Sequence, residues 1–129
     1  MTDRAPLGLV VMAYGTPRTH DEIADYYTDI RRGRPPSPEE LADLVRRYDA
    51  IGGISPLAER TEAQRGALER ALDERMPGRW TVVLGQKHAA PFIEDAVARL
   101  AEAGVTEAVG LVLAPHYSAF SVGEYQRRA

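Results

Sequence analysis

The chain has 129 residues, 44% of them hydrophobic and 27% charged, with a net charge of −3 at pH 7 and no cysteine. This is the composition of one globular α/β-sized domain with a core of its own, and it excludes disorder, disulfides and thiolate metal sites within these residues. There is no basic field to attract nucleic acid or anionic lipid, no apolar run approaches the roughly 18 residues of a membrane span, and a cysteine-free chain without an apolar leader fits a reducing cytoplasm.

The first element is the apolar run Leu7-Gly8-Leu9-Val10-Val11-Met12-Ala13, which stops at Tyr14-Gly15-Thr16-Pro17. A short β-branched run bounded by Gly and Pro reads as a strand buried on both faces, with Pro17 turning the chain away. In an open parallel sheet ligands bind beyond the carboxyl ends of the strands, so Tyr14 is either a ligand-facing phenol or a core tyrosine with a satisfied hydroxyl. Thr19-His20-Asp21-Glu22 matches a capping box, and Ile23, Tyr26, Tyr27 and Ile30 form one stripe of the helix it opens. His20 in its first turn reads as surface. The helix ends in Arg31-Arg32-Gly33-Arg34-Pro35-Pro36, where cations complement the helix dipole or else clamp a carboxylate or phosphate. From the residues alone, helix termination is favoured.

Ser37-Pro38-Glu39-Glu40 is a second start signal, with Leu41, Leu44, Val45 and Tyr48 as its buried stripe and Arg46 and Arg47 on other faces. Gly52-Gly53-Ile54-Ser55-Pro56-Leu57 follows as a loop that can approach a ligand closely. No Lys follows the paired glycines and no G-x-G-x-x-G occurs, so no nucleotide site is expected. Thr61-Glu62-Ala63-Gln64 predicts a third helix with Ala67, Leu68, Ala71 and Leu72 buried, ending at Met76-Pro77-Gly78. Trp80 to Gly85 is a second strand with Gln86-Lys87-His88 at its carboxyl end. A helix then starts at Pro91-Phe92-Ile93-Glu94-Asp95, with Ile93, Ala96, Val97 and Leu100 buried and Gly104 as its stop. Glu107 to Ala114 is the third strand, followed by Pro115-His116-Tyr117-Ser118, and Ser121-Val122-Gly123-Glu124 opens a last helix carrying Tyr125, Arg127 and Arg128.

The order β-α-α-α-β-α-β-α predicts a parallel sheet with helices on both faces, a chelatase-like, Rossmann-like half-domain. With few strands and a final helix that has no stop signal, the chain is expected to be the first part of a larger protein. Tyr14, Lys87-His88 and His116-Tyr117-Ser118 share the carboxyl rim. Ser118 and His116 are too close for a triad, and no carboxylate is placed by the sequence to orient the His116 imidazole. His88 and His116 could share a metal, although two imidazoles alone make a poor site.

Taken together, Met12-Ala13-Tyr14-Gly15-Thr16-Pro17, Tyr26-Tyr27 through Arg34, Ile51 through Leu57, Lys87-His88, Pro91 through Val97 and Leu113-Ala114-Pro115-His116-Tyr117-Ser118 resemble the ferrochelatases, and among them the coproporphyrin III branch of Gram-positive bacteria. The resemblance runs from about Leu7 to the end of the chain. It implies insertion of Fe²⁺ into coproporphyrin III to give coprohaem, with iron and tetrapyrrole as substrates and no nucleotide. It implies that Tyr14 approaches the porphyrin iron axially and that Arg31, Arg47, Tyr48, Ser55 and Tyr125 contact the tetrapyrrole or its propionates. Ile30 and Arg32 would line the same cleft, and Lys87 and His88 would stand at an outer metal site. Guanidinium groups suit a substrate with four carboxylates, which reverses the reading of the arginine cluster.

The resemblance also implies two similar α/β halves with the porphyrin between them. Only the first is matched here, as a single domain over residues 1–129, and the iron-site histidine and glutamate of the second half have no counterpart. Insertion by this chain alone is therefore not expected. Three other readings stay open: a small homodimeric chelatase, a non-catalytic haem-binding module using Tyr14, and a domain whose rim serves a partner protein.

Overall fold

The computed structural model describes residues 5–114 and 122–129. β1 (Leu7–Ala13) lies between β2 (Trp80–Gln86) and β3 (Glu107–Val112), all parallel, in the order β2-β1-β3. Leu7 stands beside Trp80 on one side and Glu107 on the other, so the strands are in step and end together. β1 is buried from Gly8 onward because neighbours flank it on both edges and helices cover both faces. The expected parallel α/β architecture is therefore present, with strand positions as predicted save that β2 runs one residue further, to Gln86, and β3 stops at Val112.

Alternation along the strands divides the core in two. Val10, Met12 and Val83 point to one face, where α4 (Ile93–Glu102) and α5 (Val122–Arg128) cover them with Ile93, Ala96, Leu100 and Tyr125. Leu9, Val11, Ala13, Val82 and Leu84 point to the other, where Leu68 and Leu72 of α3 (Leu57–Arg75) pack. Each fully buried Leu or Ile is worth roughly 1.5–3 kcal/mol by area. The second face is only partly covered, and Val109 and Leu111 on β3 remain 53% and 38% exposed.

α1 (Ile23–Ile30) and α2 (Pro38–Ala50) pack mainly on one another beside the carboxyl rim rather than flat on the sheet. This is why the predicted stripe Leu41, Leu44, Val45 and Tyr48 is half-buried rather than buried, and why Ile23 is the one fully buried residue of α1.

The three start signals have different outcomes. At Ser37 the box closes as predicted: Ser37 Oγ accepts from the Glu40 amide at 3.1 Å and Glu40 accepts from the Ser37 amide at 3.2 Å. Before α1, His20–Glu22 form a 3₁₀ turn, Thr19 caps nothing with its side chain, and Glu22 takes the Arg18 amide at 2.6 Å. Thr61 lies inside α3, which begins at Leu57 with that residue's amide bonded to Ser55 Oγ at 3.2 Å. Leu68 and Leu72 of this helix pack on the sheet as expected, but Ala67 and Ala71 face solvent, contrary to expectation.

The outer edge of β2 is closed by a side chain. Arg65 Nη1 donates to the Val82 carbonyl at 3.2 Å while Glu62 and Glu69 hold the guanidinium, and the Gln86 amide donates to the Pro91 carbonyl at 2.7 Å. α4 starts at Ile93, directly against the strand. That approach needs Gly85, since a Cβ there would lie 2.9 Å from the Ile93 Cα. We expect Gly85→Ala to lower stability by about 1–3 kcal/mol through this overpacking, measured as a lower urea midpoint at unchanged slope.

Candidate functional site

Two bonds carry the β1–β2 ladder past the strands: the Lys87 amide donates to Ala13 O and the His88 amide to Tyr14 O, each at 3.0 Å. Tyr14, Lys87 and His88 are thereby held side by side on the carboxyl rim. Tyr14 is 40% exposed, so it is not a core tyrosine. Its ring meets His88 edge-on with centroids 4.7 Å apart and Tyr26 of α1 at 6.5 Å.

Lys87 is the most enclosed charge of the rim, 6% exposed as a residue. Its Nζ lies 2.9 Å from Glu124 Oε2, 4.9 Å from the centre of the Tyr125 ring and 5.9 Å from that of Tyr14. A buried ammonium costs several kcal/mol unless it is paired, and here a carboxylate and two aromatic faces supply the compensation. Burial is the largest influence on Glu124 and pushes its pKa upward, yet the hydrogen bond and charge of Lys87, with Arg128 and His88, bring it below its ordinary value. Burial holds the Tyr14 phenol above its usual range, reinforced by Glu124. The same cause, with Tyr14 and Glu124 beside it, pushes Tyr125 up to about 12. Both are neutral hydroxyls at neutral pH.

Arg128 pins α5 to this group. Its Nε and Nη2 donate to the two oxygens of Glu94 at 2.6 and 3.1 Å, and its Nη1 donates to the Lys87 carbonyl at 3.1 Å. His88 Nδ1 lies 2.7 Å from Asp29 Oδ2 of α1. The pairing of His88 with Asp29 is not anticipated by the sequence reading. The sequence contains a hint: Asp29 is one helical turn beyond Tyr26, the residue of α1 that meets Tyr14.

An open cavity of about 350 Å³ is lined by Tyr14, Asp29, Ile30 and Arg32 on one side and by Lys87, His88, Glu124 and Arg128 on the other. It brings together Tyr14, Ile30, Arg32, Lys87 and His88 from the sequence reading, and adds Asp29, Glu124 and Arg128. Arg32 reaches it from a left-handed backbone, φ 59°, just past the end of α1. Tyr125 stands behind it, 3% exposed, in the core face.

The other expected residues stand apart. Arg31 is turned to Glu40 at 2.8 Å and lies 5.6 Å from the centre of the Tyr27 ring. Arg47 pairs with Asp43 at 2.7 Å on an exposed face of α2, and Tyr48 is half-buried on the same helix. Ser55 lines a neighbouring cavity of about 670 Å³ with Pro17, Arg18, Ile51 and Ile54. His116, Tyr117 and Ser118 lie outside the described residues. Among the described residues no group of three or more His, Cys, Asp or Glu side chains is arranged to hold a metal ion, and no helix is long and apolar enough to cross a membrane.

The Glu94 carboxyl is lowered chiefly by its hydrogen bond from Arg128, against the opposing effect of burial. A carboxyl lowered by folding stabilises the fold above its ordinary value and loses that contribution as pH falls through the lowered one. Arg128→Met should therefore cost about 1 kcal/mol at pH 7, a figure kept small by solvent at the half-exposed Glu94. The difference in melting temperature from the parent should shrink once the pH drops below the ordinary glutamate range, near 4.5.

A family model described as Ferrochelatase matches residues 6–129. The chain is 56% identical over 127 residues to the coproporphyrin III ferrochelatase of Bacillus subtilis (strain 168), covering 98% of this chain and 41% of that protein. It is 58% identical over 124 residues to the protein of the same name from Halalkalibacterium halodurans, covering 95% and 40% respectively. With the corresponding protein of Staphylococcus aureus (strain Mu50) the figures are 55% over 124 residues, 95% and 40%. The chain thus spans about two fifths of the length of the curated relatives it matches. With a parallel α/β fold, a phenol at the end of its central strand and a match over nearly its whole length, this chain belongs to the ferrochelatase family.

Proposed function

We propose that these residues form one wall of the porphyrin cleft of a coproporphyrin III ferrochelatase, which inserts Fe²⁺ into coproporphyrin III, releases two protons and yields coprohaem. The observation that carries this reading is the convergence of Tyr14, Ile30, Arg32, Lys87 and His88 on one open cavity in a chain of this family. Tyr14 would face the metal along the axis of the macrocycle. Its neutral phenol is a weak ligand for ferrous iron, which favours release of the product over trapping it. Arg32, Arg31 and Arg47 would meet propionates, with Arg31 and Arg47 leaving Glu40 and Asp43 to do so. Exchange of one carboxylate for another keeps the charge-assisted bond and costs little. Tyr48, Ser55 and Tyr125 would complete the contacts to the ring and its edge, and Lys87 and His88 would flank the path of the incoming metal.

The opposite wall, with the histidine and glutamate that the family places at the iron site, we assign to the part of the relatives' length that this chain does not match. A single domain over residues 1–129 then corresponds to the N-terminal half of the enzyme, working in the cytoplasm, where both substrates are soluble.

The test is metal insertion by the complete gene product, followed by the absorbance of coprohaem. Insertion into coproporphyrin III should proceed faster than into the dicarboxylate protoporphyrin IX, and Tyr14→Phe should slow it roughly tenfold, the equivalent of about 1.4 kcal/mol in the barrier. Equal use of the two porphyrins would overturn the substrate assignment. An unchanged rate and product spectrum in Tyr14→Phe would overturn the role of the phenol.

A further inference from the structure

Asp29 has no role in the reading above, yet it makes the closest polar contact between α1 and the rim of the sheet. A carboxylate accepts hydrogen bonds and does not donate them, so the 2.7 Å separation from His88 Nδ1 places the proton on that nitrogen. In a neutral imidazole the other nitrogen, Nε2, is then the acceptor. The ring so fixed is 13% exposed as a side chain and packs edge-on to Tyr14, with 67° between the ring planes. Tyr26, three residues before Asp29 on α1, meets the same phenol from another direction at 79°. One face of α1 therefore acts on Tyr14 twice, directly through Tyr26 and indirectly through Asp29 and His88.

We propose that Asp29 is a positioning residue of this site: it selects the His88 tautomer whose unprotonated Nε2 serves the cavity as an acceptor, and it holds the imidazole as a stop that fixes the Tyr14 ring. The value of this arrangement to metal insertion rests on the proposed function; the tautomer does not. Without the carboxylate, an imidazole is free to adopt either tautomer and to leave the Tyr14 ring, which then loses its definition beneath the macrocycle. Arg31 and Arg47, two of the arginines proposed for the propionates, stand outside this cavity, so loss of the contact acts on turnover more than on affinity.

The experiment uses the complete gene product, selectively ¹⁵N-labelled at histidine, with Asp29→Asn and Asp29→Ala beside the parent. Side-chain ¹⁵N–¹H spectra under conditions where His88 is neutral should show the Nδ1–H form in the parent and a shift toward Nε2–H in Asp29→Ala. Steady-state kinetics should show kcat for metal insertion reduced about tenfold in Asp29→Ala with KM for porphyrin within about twofold, and a smaller loss in Asp29→Asn, whose amide oxygen can still accept from Nδ1. An Nε2–H form in the parent would overturn the proposal, and its spectrum does not depend on any variant folding. So would an unchanged tautomer in a folded Asp29→Ala, or a loss carried by KM alone. Failure of the functional reading is a different result: the parent protein then inserts no iron while the Nδ1–H signal remains.

Discussion

The rim depends on the burial of one ammonium group. Lys87 follows β2 directly, so its backbone is fixed by the bond to Ala13, and its residue is only 6% exposed with the ammonium against Glu124, Tyr125 and Tyr14. A charge in that position must be answered by groups drawn from elsewhere in the chain. Glu124 and Tyr125 come from α5, Tyr14 from the end of β1, and Arg128 fastens the helix by gripping both Glu94 and the Lys87 carbonyl. The need to compensate one lysine thus recruits the last helix to the first strand and leaves the phenol facing open space.

The strands and most of the helices are legible in the sequence because their signals are local. A β-branched run ended by Tyr-Gly-Thr-Pro can hardly be anything but a buried strand, and the Ile93, Ala96, Val97 and Leu100 stripe is seated against the sheet as its spacing requires. The capping motif is less dependable. Ser37 caps because Pro38 fixes the first helical turn, whereas Thr61 has the same spacing and is overruled by Ser55-Pro56, which starts the helix earlier. Side-chain burial on α2 is also hidden from periodicity, which reports an apolar face without saying how much of it a neighbour covers.

At the site, the sequence finds groups attached to strand ends and misses the partners that orient them. Tyr14, Lys87 and His88 stand out because topology alone places them on one rim. Asp29 is 59 residues from His88 and sits in a helix whose obvious signal is apolar. Glu124 and Arg128 look like ordinary surface charges on a short helix until the buried lysine is located. Family resemblance adds Arg31, Arg47 and Ser55, whose side chains are turned to Glu40, Asp43 and the Leu57 amide.

The two margins of the sheet are unlike. Along β2, the Arg65 guanidinium occupies the Val82 carbonyl and the Pro91 carbonyl occupies the Gln86 amide, so two of its outward groups are already taken. Along β3, Val109 and Leu111 are partly exposed, and among the described residues no further strand pairs with that margin. A sheet with margins so unlike is polar in the sense of a crystal with one favoured growing face: a strand added beside β3 meets apolar side chains, and it moves β1 off the middle of the sheet while Tyr14 keeps its place at the rim.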